Sequence, residues 1–169
     1  MALVTANSLN HPAAIETVGH EADRMDPEAV RLVFDNYVGR IHREAKAKGY
    51  TSFKGFENDS YEGGFQDFGY DFIAEFKKRR GYDCTFWLPA WKDRRVIIKS
   101  QELTNRFRRD MQQTISELYQ ERFHGELRKI ADENGLEWLL EPYFGIPVDW
   151  QSIAGVSEFP GVEYWVTSH

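Results

Sequence analysis

The segment IADENGLEWLLEPY, residues 130–143, decides the fold class, because the apolar pattern changes its period inside it. Upstream, Leu103, Phe107, Met111, Ile115, Leu118, Phe123, Leu127 and Ile130 recur at helical spacing behind Ser100, a good N-cap residue. The spacing predicts one long helix that bends at Gly125 and stops at Asn134-Gly135. Leu136 to Glu141 is then a short apolar run closed by Pro142-Tyr143, which reads as a strand.

The same alternation extends outward. Asp26-Pro27-Glu28 combines an N-cap, proline at the first helical position and an acid in the first turn. Val30, Val33, Phe34, Tyr37, Val38 and Ile41 continue it as a single amphipathic helix of about six turns, closed by Gly49. Phe53 to Asp59 reads as a strand emptying into the loop Ser60-Tyr61-Glu62-Gly63-Gly64. Tyr70 to Arg80 is a helix with Phe72, Ile73 and Phe76 inward, basic in its last turn and stopped by Gly81. Residues 82–99 are irregular, Ile15 to Asp23 is a weak strand, and Val162 to Trp165 is a last strand. Strands and helices in this order imply an α/β fold with parallel strands joined by right-handed crossovers.

Composition removes several classes. The 169 residues form a single segment with a loose lead-in over 1–12, and 41% hydrophobic residues supply ample core material. With 27 acidic against 21 basic residues the net charge is -6, and no basic stripe exists to track nucleic acid phosphates. No window approaches a membrane span, which needs about 18 apolar residues or more. Met1-Ala2-Leu3-Val4 has neither the charged n-region nor the long h-region of a signal peptide. The lone Cys84 excludes internal disulfides and multi-cysteine metal sites and reads as a packed thiol.

Three predicted strands end in acids: Asp59 with Glu62, then Glu141, then Glu163. In parallel α/β barrels, functional groups gather at those ends. Glycoside hydrolysis needs one protonated carboxyl at the leaving oxygen and a second, ionised carboxylate. Further carboxylates can ligate a hard cation such as Ca²⁺. Tyr61, Tyr143, Tyr164 and Trp165 flank the acids as a sugar-stacking surface requires, and His20 lies where it could line the same pocket.

At these motifs the sequence resembles glycoside hydrolase family 106, the α-L-rhamnosidase-like enzymes, from about Gly19 to Trp165. The resemblance is carried by Asp23 with Pro27-Glu28-Ala29-Val30, by Asp59-Ser60-Tyr61-Glu62, and by Glu75 to Asp83. Leu88-Pro89, Glu141-Pro142-Tyr143 and Glu163-Tyr164-Trp165 complete it. It implies a partial (β/α)₈ TIM-type barrel of about four strands, cleaving terminal rhamnosyl or related linkages with inversion, with Ca²⁺ near the sugar. By this resemblance Glu62 is the catalytic acid. Glu141 and Glu163 are sugar- or metal-binding carboxylates, either of which could be its partner, and Asp59 orients or ligates beside it. Gln66 matches a polar substrate-reaching position, though Asp67-Phe68-Gly69 stands where the family usually has Asn-Trp-Thr. The family is one of bacterial, exported enzymes longer than this chain. Three expectations follow: a segment needing the rest of a barrel, a half-barrel closed by homodimerisation through open strand edges, or a non-catalytic carbohydrate-binding module.

Overall fold

A computed structural model of the chain describes residues 14–59, 66–142, 148–164 and 166. Three strands, β1 (Gly55–Asn58), β2 (Glu137–Leu140) and β3 (Phe159–Pro160), form a parallel sheet in the order β1-β2-β3. The parallel α/β class is as the alternation predicts, with three strands among the described residues. Ile15–Thr17 is a 3₁₀ turn and His20 a single bridge, so the weak first strand does not form.

The helices are cut differently from their apolar stripes. Asp26 caps α1 (Pro27–Asn36) through Glu28 N–H, but Tyr37 leaves helical geometry (φ -116°, ψ -91°) and α2 (Val38–Ala47) starts afresh. Val33, Tyr37 and Ile41 are exposed, while Val30 and Phe34 are buried and Val38 packs against the same cluster. Arg43 Nη2 donates to the Asp35 carbonyl at 2.7 Å, satisfying a backbone group near the interruption. Helix α3 (Phe72–Arg80) ends at Gly81 in left-handed geometry (φ 80°), as its sequence predicts, with Phe72 and Phe76 buried but Ile73 turned outward. Its basic end is joined to the next long helix by Arg79 and Arg80, both of which pair with Glu117. The irregular stretch 82–99 holds a 3₁₀ turn over Thr85–Trp87 and a short helix α4 (Leu88–Lys92). Cys84 is buried, and burial pushes its thiol up to about 11, which suits a packed, unreactive group.

The long helix is α5 (Gln101–Leu118) and α6 (Gly125–Asn134), joined by one π-helical turn over Tyr119–His124. The expected bend at Gly125 is this wide turn, since a Cβ at Gly125 would stand 3.0 Å from the Gln120 carbonyl oxygen. The turn points His124 inward, where Nδ1 lies 3.1 Å from Tyr119 O and the ring packs on Trp138. Burial holds His124 neutral, its pKa pushed down to about 4. Above about pH 6.5 the imidazole is neutral in both folded and unfolded chain. Between there and about 4 the unfolded chain takes a proton that the folded one refuses, and stability falls by up to about 3 kcal/mol. Urea unfolding at pH 7 and pH 4.5 checks this: His124→Gln is expected to lose clearly less stability than wild type, and equal losses would rule it out.

Helix α7 (Trp150–Ala154), capped by Asp149, is an element that the apolar pattern of the sequence does not predict. The last strand is displaced. Phe159–Pro160 pairs with Leu139–Leu140, while Val162 and Tyr164 are exposed and unpaired in the sheet. The reason is that β2 runs out: Leu140 O accepts the Gly161 N–H at 2.7 Å and β2 ends there. No helix of the described residues is long and apolar enough to cross a membrane.

Candidate carboxylate site at the strand ends

Side chains alternate across a strand, and the pairing register places them in rows. Phe56 and Trp138 are register partners, as are Asn58 and Leu140, and this row packs against α1 and α6. The odd-numbered positions therefore face the other way: Glu57, Glu137, Leu139 and Phe159, with Glu57 and Glu137 exposed. Asp59 and Glu141 are the next odd positions beyond the ends of β1 and β2, and Glu163 stands three residues past β3. The parity that sends Trp138 and Leu140 into the core thus sends both acids to the open face.

There the three acids meet. One carboxylate oxygen from each of Asp59, Glu141 and Glu163 lies within 4.8 Å of the others, with Glu141 half-buried and the other two exposed. Main-chain bonds between the strand ends hold the arrangement: Glu141 N–H donates to Asn58 O at 2.9 Å, and Gly161 N–H to Leu140 O. A Cβ on Gly161 would stand 3.5 Å from Glu141 Cγ, so the third strand passes close beside the second acid.

Of the other expected site residues, Gln66, His20 and Tyr164 lie among the described residues. Gln66 is buried, and its amide is engaged within the fold: Oε1 accepts from Arg24 N–H at 3.0 Å, and Nε2 donates to Asp23 Oδ1 and Phe68 O. It ties the segment before α1 to the segment before α3, and this placement gives no support to substrate contact. Neighbouring Asp67 is also internal, accepting from Trp91 Nε1 at 2.6 Å and pairing with Lys92. His20 is exposed, and Tyr164 is almost fully so. Glu62, Tyr61, Tyr143 and Trp165 lie outside the described residues. Sequence reasoning passed over Asn58, whose Oδ1 accepts a hydrogen bond at 2.8 Å from Nε1 of Trp138, a fully buried core residue. An amide side chain two residues after Phe56, on the same side of β1, was the available signal.

A parallel sheet that gathers carboxylates beyond the carboxyl ends of adjacent strands has the layout of an α/β glycoside hydrolase. Comparison with known proteins agrees. The family model for α-L-rhamnosidase matches residues 1–168, and the chain belongs to that family, glycoside hydrolase family 106. It is 30% identical over 156 residues to a Formosa agariphila protein named "Putative beta-glucuronidase", a match covering 92% of this chain and 13% of that protein. It is also similar to the solved structure of a rhamnosidase from Novosphingobium sp. PP1Y. That match has a TM-score of 0.76 and 27% identity, over 89% of this chain and 14% of the other. The chain therefore spans about one seventh of the length of these relatives.

Proposed function

We propose that the chain forms part of a (β/α)₈-type catalytic domain that hydrolyses terminal α-L-rhamnosyl or related glycosidic bonds, with its three acids at the sugar-binding end. The observation that carries this reading is the convergence of Asp59, Glu141 and Glu163 within 4.8 Å. Ca²⁺ binds oxygens at about 2.3–2.6 Å, so oxygens on opposite sides of one ion stand roughly 5 Å apart, and three hard carboxylates at this spacing suit it. The spacing is tighter than the roughly 6.5–9.5 Å between the acid and base of an inverting glycosidase, which leaves room for water. In this reading Asp59, Glu141 and Glu163 hold the cation, and Glu62 donates the proton to the leaving oxygen. The ion would supply a fixed positive charge that orients sugar hydroxyls. Glu141 or Glu163 keeps an oxygen towards the substrate and serves as the partner of Glu62, while Tyr61, Tyr143 and Trp165 offer stacking faces.

The test is hydrolysis of an aryl α-L-rhamnoside in CaCl₂, alongside rhamnose binding by calorimetry. Glu62→Gln is expected to lower turnover by roughly 10³-fold, the usual scale of general acid catalysis, while leaving sugar affinity within about twofold. An unchanged rate would sink the catalytic assignment. Sugar binding without turnover, persisting when the chain is joined to the rest of a family barrel, would favour a binding module instead.

A further inference from the structure

We infer that Asn58, clamped by Trp138, is a positioning residue that fixes Asp59 against Glu141. Asn58 is the last residue of β1 and is held twice. Its side-chain Oδ1 accepts from Trp138 Nε1 at 2.8 Å, and its main-chain carbonyl accepts from Glu141 N–H at 2.9 Å. One residue thus joins the acid that follows it in the chain to the acid across the strand pair.

The clamp itself is rigid. Trp138 is fully buried, with Phe56 stacked at 6.4 Å and 26°, and His124 at 6.3 Å and 31°. A buried indole N–H needs an acceptor, so the ring cannot turn without leaving a donor unpaired. Behind it, the π-helical turn over Tyr119–His124 sets the height of the His124 ring, and such turns recur at functional sites.

Packing alone does not ask for this pair. Asn58 continues the helix-facing row of Phe56, opposite Leu140, on the side of the sheet covered by Val30, Phe34, Leu127 and Ile130. An apolar residue there would fill the space without the desolvation penalty of an amide. Asn58 stands at the last rung before the acids, where the ladder ends and the strand would otherwise fray, and Trp138 holds it from two positions back in the register. Its effect is to carry the order of the core one residue further, to the base of Asp59.

The inference concerns geometry, and its calcium arm rests on the reading proposed above. Two variants of the full chain separate positioning from stability. Trp138→Phe keeps an aromatic ring and removes the donor. Asn58→Leu combined with Trp138→Phe removes both partners, which generally restores much of the stability lost when one partner is left unpaired. Ca²⁺ affinity is read by calorimetry, and amide hydrogen exchange by NMR at Glu141 and, as a reporter of global opening, at Ile115 in α5. Both variants are expected to bind Ca²⁺ about tenfold more weakly, the low end for residues supporting a metal ligand. Exchange at Glu141 should quicken about tenfold relative to Ile115. The inference is overturned if the double variant regains wild-type exchange at Glu141, or if Glu141 and Ile115 quicken together. Should the wild-type chain bind no Ca²⁺, the calcium reading fails, and the exchange ratio alone decides the positioning role.

Discussion

Gly55→Ala is expected to disrupt the sheet and to lower the melting temperature by roughly 10 °C, from a loss of about 3 kcal/mol or more. Gly55 opens β1 and lies opposite Glu137 in the register. A Cβ there would stand 2.3 Å from the Glu137 carbonyl oxygen and 2.9 Å from its carbon. Those atoms are backbone in a paired strand and cannot swing aside as a side-chain tip could, so the two strands must part or slip. A one-residue slip would send Asp59 and Glu141 to opposite faces. Gly49→Ala is the control. It introduces strain at φ +73° but meets nothing within 4 Å, so its loss should be about 1 kcal/mol. Thermal melts of the two variants, with calorimetric Ca²⁺ titration, check the pair. If Gly55→Ala melts no lower than Gly49→Ala, the close strand contact is not what fixes the register.

Glu141→Gln is expected to weaken Ca²⁺ binding by about 100-fold or more, since it removes a charged ligand and losses of supporting groups alone reach that scale. Glu141 is the half-buried member of the cluster and is placed by the Asn58 carbonyl, so its carboxylate is the least able to be replaced by movement of a neighbour. The variant also carries a signature in stability. Three carboxylates with oxygens within 4.8 Å repel one another, and neutralising one relieves that repulsion in the metal-free chain. Without Ca²⁺, Glu141→Gln should therefore melt slightly above wild type. With millimolar Ca²⁺ the order should invert, because a ligand that binds the folded state raises wild-type stability by mass action. Glu57→Gln, an exposed acid two residues before Asp59, should change neither result. An unaltered Ca²⁺ affinity in Glu141→Gln would remove the cluster from the list of metal sites.

Both expectations depend on strand parity, which shows how far the sequence could be read. The apolar runs around residues 53–59 and 136–141 locate β1 and β2, because four-residue strands bounded by a helix stop and a loop have few alternatives. They also put an acid just beyond each strand. What the runs cannot tell is which side each acid takes, since that needs the neighbour's register. β3 is the clearest case. Val162 to Trp165 is the more strand-like run, yet pairing falls on Phe159–Pro160, because β2 offers carbonyls only as far as Leu140. The partners of Gln66 are hidden for a similar reason: nothing local in the sequence shows that its amide ties Asp23 to Phe68.

By itself, the sequence determined the helix starts and stops at Asp26, Ser100, Gly81 and Gly135, the alternation that makes the sheet parallel, and the family motifs. These are local matters, settled by caps, backbone freedom and the spacing of apolar residues along a few turns. Only the tertiary structure decided the break at Tyr37, the π-helical turn that seats His124 under Trp138, and the meeting of Asp59, Glu141 and Glu163. Each of those depends on atoms far apart in the chain competing for the same space and the same hydrogen-bond partners, and that competition is resolved only when the core closes.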